Sequence, residues 1–155
     1  MNGRPTELNT LIRDAMHQVP ANSADCRRDG TRTLASAREF STTARLCRQD
    51  GLRLPVISTL HEAARLAITA VAAARGLRFA NRPGAHVAVV DYALGIQLVD
   101  RTDWAQLDEL RDLRHKTSYP SDLIEPADNE LNQFTELTDR VIARAQATIP
   151  PPPKR

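Results

Sequence analysis

Apolar residues recur along this chain at steps of three and four, the spacing of one face of an α-helix. Between Thr31 and Gln49 they fall at Leu34, Ala37, Phe40, Ala44 and Cys47, which predicts an amphipathic helix closed by Asp50-Gly51. The pattern is densest from Pro55 to Arg75. There Val56, Ile57, Leu60, Ala63, Ala64, Ala67, Ile68, Val71 and Ala74 predict a helix with Pro55 in its first turn and Gly76 as its C-terminal cap. Its small residues allow close helix approach. Gly84 to Leu98 predicts another helix through Val89, Val90, Ala93, Leu94 and Leu98, although Val87-Ala-Val-Val also suits a strand. Asp103 is the expected cap of the next helix, with Gln106 at its third position and Trp104, Leu107, Leu110 and Leu113 facing inward. Pro120 ends that helix, because the residue before a proline disfavours helical dihedrals. Ser121 opens a last helix, kinked or delayed by Pro126, with Leu131, Phe134, Leu137, Val141, Ile142 and Ala145 on one side.

The two ends read differently. Residues 1–30 form an extension in which Thr6 to Gln18 predicts a short helix through Leu8, Leu11, Ile12 and Ala15. Val19 to Gly30 is polar, with Pro20 and Gly30 as breakers. Residues 148–155 form a proline-rich tail. No repeat is visible, and no alternating run argues for a sheet. The expected architecture is all-α, a helical bundle of about five main helices over residues 31–147 with an N-terminal helical extension.

Composition narrows the picture modestly. The 155 residues suit one domain, and 41% hydrophobic with 26% charged residues is the balance of a globular chain. A formal net charge of +2 gives no global positive field. Of the 21 basic residues, however, 19 are Arg, whose planar fork suits local phosphate or carboxylate sites. The aromatics, 3 Phe, 2 Tyr and 1 Trp, are too few for a single-strand stacking platform. Cys26 and Cys47 make neither a CxxC nor a zinc pattern; Cys47 is expected as a buried thiol, and a disulfide between the two would need an oxidising compartment. The N-terminus lacks the apolar core of a signal peptide. The longest apolar stretch, Ala63 to Ala74, is interrupted by Arg65 and Thr69 and is too short to span a bilayer. A cytoplasmic protein without a membrane partner is the expectation.

The candidate chemistry starts with histidines. His61-Glu62-Ala63-Ala64-Arg65 begins like a zinc-protease HExxH but ends in Arg, so the second metal ligand is missing and His61 is expected at the surface. His17 lies in the extension with no visible partner. His86 should sit in the first turn of a helix, with a structural role through a hydrogen bond or cap. No glycine-rich phosphate loop and no G-x-S-x-G elbow occurs, and the sequence calls for no metal or cofactor. The informative segment runs from Leu110 to Pro120. On a helix, Arg111, Arg114, His115 and Ser118 share a face, and Arg114 points between Leu107 and Leu110. A charge aimed at a core or interface needs a partner. The plainer alternative is that Arg111, Arg114, His115 and Lys116 complement the negative end of the helix dipole, after Asp108, Glu109 and Asp112.

Arg114-His115-x-x-x-Tyr119, after a helix with apolar steps, resembles the signature of HEPN domains. The stretch from His61 to Arg78, with Arg82-Pro-Gly-Ala-His86, is similar to the second helix and following loop of stand-alone bacterial HEPN proteins. The resemblance covers about residues 31–147. It implies an all-α domain of toxin–antitoxin, antiphage or RNA-processing systems, usually a homodimer whose motifs meet in a cleft at the two-fold axis. Active members are metal-independent ribonucleases with an Arg, an adjacent polar residue and a more distal His. The Arg matches Arg114 and the polar neighbour matches His115; the places of the distal His hold Tyr119, Pro120 and Ser121.

Metal-free RNA cleavage needs a base for the 2′-hydroxyl and a cation for the charge developing on phosphorus. Arg114 supplies the cation. The imidazole is the side chain that titrates near neutrality, and His115 carries the one in this segment. Tyr119, as a phenol that ionises only at about pH 10, suits hydrogen-bond donation or stacking. Arg111 and Ser118 are expected as binding residues beside them. Three readings stay open: a ribonuclease acting as a homodimer on RNA; a non-catalytic HEPN module that binds a nucleotide, RNA or a protein such as a nucleotidyltransferase antitoxin, with Tyr119 as a modification site; and a helical regulator whose basic helix end only caps a dipole.

Overall fold

The computed structural model describes residues 16–18, 22–81, 83–118, 125–151 and 154. Within them the class is all-α: five helices, with one short two-stranded ribbon beside them. The elements in chain order are β1 (Met16–Gln18), α1 (Ser23–Gln49), α2 (Arg53–Ala74), β2 (Leu77–Phe79), α3 (Ala85–Gly95), α4 (Arg101–Ser118) and α5 (Asp128–Thr148).

Helix α1 begins eight residues before the expected Thr31, so it runs through the boundary drawn at residue 30. Asn22 is the cap: its backbone is extended and its Oδ1 accepts the Asp25 N–H at 2.9 Å. Gly30 breaks nothing. It is buried at the crossing of α1 with α2, where a Cβ would stand 2.7 Å from the Ala74 Cβ and 2.8 Å from the Ala70 carbonyl oxygen. Glycine there lets two backbones approach; it is not a turn residue. The turn that does end α1 uses Gly51 at φ 74°, with the Gly51 N–H donating to the Arg48 carbonyl at 3.1 Å and the Leu52 N–H to the Cys47 carbonyl at 2.8 Å.

Helix α2 is the centre of the bundle. Ile57, Leu60, Ile68 and Val71 are fully buried, and α1, α3, α4 and α5 all pack on it. It is longer than its most apolar stretch, at 22 residues, and by length and composition alone it is long and apolar enough to cross a membrane. Here 61% of that apolar window is buried inside the bundle, as a core helix requires.

The polar ties fix the helix directions. Gly30 faces Ala70 and Ala74, which makes α1 and α2 antiparallel. The Arg45 guanidinium pairs with Asp139 at 2.8 Å and Arg53 donates to the Pro126 carbonyl at 2.6 Å, which sets α5 antiparallel to α1. Arg140 and Arg144 reach Asp103, which sets α4 antiparallel to α5. Together α1, α2, α4 and α5 form an up-and-down four-helix arrangement with α3 as a short crossover.

Three local expectations change. Met16–Gln18 is a strand and not the end of a helix; it pairs antiparallel with β2, Met16 opposite Phe79 and Gln18 opposite Leu77. Three residues are too few to display alternation, and this pairing satisfies backbone groups that a lone strand would leave open. The cap of α4 is Asp100, whose Oδ1 accepts the Asp103 N–H at 2.7 Å. Asp103 lies in the first turn, only 4% exposed. Burial would raise its pKa, but hydrogen bonds from Arg144 and Arg140 outweigh that and hold it below the usual carboxylate range. Finally, α5 starts at Asp128, after a buried Pro126, so the delay expected of that proline is what occurs. Ser121 and the first part of the expected helix Thr6 to Gln18, residues 6–15, lie outside the described residues. Both cysteines are thiols, Cys26 buried and Cys47 half-buried against the core.

Candidate functional site

The C-terminal half of α4 carries Arg111, Arg114, His115 and Ser118 at helical steps that put them on one face, as the sequence predicts. Arg111 is held along its own helix: its Nε and Nη2 bond Asp108 at 3.1 and 2.8 Å, and Asp112 lies 3.3 Å away. The hydrogen bond to Asp108 pushes its pKa up. The Ser118 hydroxyl donates to the Arg114 carbonyl at 3.0 Å, closing the last turn of its own helix. His115 is exposed. Tyr119, Pro120 and Ser121 lie outside the described residues. Arg111 and Ser118, expected beside Arg114 as binding groups, are thus engaged locally.

Arg114 is half-buried, and its charge is felt across the bundle by His61 and Glu62 on α2 and by His86 on α3. This overturns the surface placement of His61. Its side chain belongs to a helix buried nearly all round, between Ile57 and Ala64 on the apolar face, and it is 5% exposed. Its Nδ1 is buried and has no hydrogen-bond partner. Burial first, then the charges of Arg114 and His86, lower its pKa to about 4, so the ring is neutral at neutral pH. His86 stands in the first turn of α3, exposed, with its ring 5.6 Å from that of His61 and tilted by 47°. Desolvation and the Arg114 charge lower its pKa as well. Gly84, at φ 86°, occupies the N-cap of α3, so His86 serves as a ring neighbour of His61 and not as a cap.

One turn along α2, Glu62 and Arg65 face each other as a bidentate pair, with Nε to Oε2 at 2.9 Å and a second bond from Nη2 to Oε1. The hydrogen bond lowers the Glu62 pKa and raises that of Arg65. This pair, His86 and Asn81 line a cleft of about 370 Å³ floored by Phe79 and Val89. Phe79 is fixed by an edge-on contact with Tyr92, centroids 5.6 Å apart. A second cleft of about 410 Å³ lies between α1, α2 and β2, and Arg65 and Phe79 line both. Among the described residues no three of His, Cys, Asp and Glu come together to hold a metal ion.

The arrangement therefore brings the rings of His61 and His86 and the tied Glu62–Arg65 pair together on α2 and α3, under the influence of the Arg114 charge. His61, Glu62, Arg65 and His86 were absent from the sequence-derived site. A signal existed for His61: Ile57, His61, Ala64 and Ile68 continue the apolar stripe at helical steps, so the imidazole had to face inward. His86 is 25 residues further on, and only the fold brings it to His61. Comparison of the chain with protein-family models, curated proteins and solved structures finds no match.

Proposed function

We propose that the protein is a HEPN-type effector of a toxin–antitoxin or antiphage defence system, a homodimer that cleaves RNA in the cytoplasm without a metal ion. The observation that carries this reading is the convergence of the Arg114 charge with the imidazoles of His61 and His86. The HEPN motif in this chain lacks a distal His; what supports the reading is His86, exposed on another helix and subject to the Arg114 charge. In this mechanism the 2′-oxygen attacks phosphorus and its proton passes to neutral His86. The P–O5′ bond breaks, and the leaving 5′-oxygen takes a proton from His115. Arg114 stabilises the charge on the phosphorane oxygens, a role in which a fixed guanidinium acts as two directed donors. His61, buried behind His86, positions its ring.

The test is cleavage of single-stranded and structured RNA by the purified protein, with and without EDTA. Arg114→Ala is expected to abolish cleavage, and His86→Ala to slow it roughly 10²–10⁴-fold. EDTA should leave the rate unchanged. Equal rates for wild type and Arg114→Ala would refute the assignment. A second reading is favoured by Tyr119, Pro120 and Ser121 standing where active relatives hold His: a module that binds RNA, a nucleotide or a nucleotidyltransferase antitoxin without turnover. RNA retained by the wild type but never cleaved supports that reading.

A further inference from the structure

We infer that the cleft between α1, α2 and β2 is a phosphate-binding subsite for a nucleic-acid strand that continues into the neighbouring site; this rests on the RNA reading above. The cleft holds about 410 Å³, within the range of sites that take small ligands or segments of larger ones. Its lining includes three arginines, Arg32, Arg65 and Arg78, together with the apolar residues Ala73, Leu77 and Phe79. Arg65 is tied to Glu62. Arg32 and Arg78 are exposed and, among the described residues, enter no ion pair. Arg32 rises from a long helix and Arg78 from a strand held by its pairing with β1, so both stems start from regular elements.

The other polar groups fit a nucleotide unit. The hydroxyls of Thr33 and Thr69 are spent on the carbonyls of Asp29 and Arg65, each at 2.8 Å, and cannot donate outward. Donors for a phosphate must therefore come from the guanidiniums. Asp29 also lines the cleft and repels phosphate, but a carboxylate accepts from the exocyclic amino groups of a base. Phe79 and Leu77 offer an apolar surface to the sugar or base. Continuity with the first cleft is direct, because Arg65 and Phe79 belong to both linings. A strand with one phosphate near His86 can thus present its neighbour to Arg32 and Arg78.

A 2′-O-methyl oligoribonucleotide of about ten nucleotides separates binding from cleavage, since it lacks the attacking hydroxyl. Its affinity, read by fluorescence anisotropy across a salt series, is expected to fall about tenfold or more in the Arg32→Ala/Arg78→Ala double variant. The slope of log K against log salt should flatten by about 1, given roughly 0.7 per phosphate on a single strand. Both residues are exposed, and a thermal melt checks that the fold is intact. Unchanged affinity and slope overturn the subsite. AMP and ATP as competitors identify the source of the phosphate: a mononucleotide that binds as tightly as the oligomer, and loses its binding in the double variant, overturns the strand reading in favour of a nucleotide pocket. If unmodified RNA is not cut but the double variant still weakens oligomer binding, the ribonuclease reading fails and the subsite stands.

Discussion

At the residue level, His61 is a group that resists protonation in the folded state. Its ring is buried and faces the charge of Arg114, with His86, Glu62 and Arg65 around it. The folded pKa, about 4, lies below the ordinary value of 6.5, so the unfolded chain binds the proton more readily. The contribution to stability is complete above pH 6.5 and falls as pH drops from there towards 4. At about 1.4 kcal/mol per unit, the loss from this one ring approaches ~3 kcal/mol at the acid end. His61→Leu keeps the site apolar and removes the titration. Urea unfolding of this variant at a series of pH values should give a flatter stability profile over that window than the wild type. Parallel profiles would show that the ring is not the source. His86 adds to the wild-type slope with the same sign, and Glu62, whose pKa is lowered, acts only in more acidic solution. The difference between the two proteins isolates His61. This residue also marks how far the site was legible in the sequence. Arg114 was flagged by its break in an apolar stripe, and in the structure it is half-buried with its charge felt by His61 and His86. The groups it faces come from α2 and α3, at sequence separations that periodicity cannot connect. Arg111 had the same helical-face signal, yet Asp108, three residues before it, captures it.

At the level of elements, what the chain announced clearly was whatever had to repeat. Helices α2, α4 and α5 carry enough turns for their apolar stripes to be read, and Pro55, Gly76 and Pro126 punctuate them as backbone chemistry requires. The errors fall where a single residue has two uses. Gly30 looked like a terminator because glycine is a poor helix former, but α1 needs it for contact with α2. Val87-Ala-Val-Val was ambiguous, and the helix wins because Val89 and Val90 bury while Val87 stays exposed. The Gly30 reading is directly testable. Alanine is better than glycine in a helix by about 1 kcal/mol, so a solvent-facing Gly30→Ala would stabilise the protein. With the added Cβ at 2.7 Å from Ala74 and 2.8 Å from the Ala70 carbonyl, the helices must separate. Overpacking of this kind costs about 1–3 kcal/mol. The expected net result of Gly30→Ala is therefore a lower melting temperature. A rise would mean that α1 and α2 do not approach this closely.

For the whole molecule, the up-and-down bundle leaves one question of assembly that bears on its proposed chemistry. A single chain carries one Arg114, one exposed His86 and one exposed His115, and a two-fold axis through that region would double each of them. The surface beside the site carries a reason to associate. Val87, next to His86 on α3, is 43% exposed, which leaves an apolar side chain on the surface of that helix. More apolar exposure lies at the far turn, on Leu46, Leu52 and Leu54, at the end of the bundle where α1 passes into α2. The two patches offer different dimers. Only one that buries Val87 brings two sets of histidines together. Light scattering at micromolar concentration is expected to give twice the chain mass for the wild type. Val87→Asp should shift that species to monomer, since an unpaired carboxylate in an apolar contact is strongly unfavourable. Its exposure means that the fold itself should tolerate the change, to be checked by an unaltered thermal melt. Leu52→Asp serves as the control and should leave the dimer intact. If Leu52→Asp dissociates it and Val87→Asp does not, the copies meet through the α1–α2 turn, and each site must then work with the residues of one chain alone.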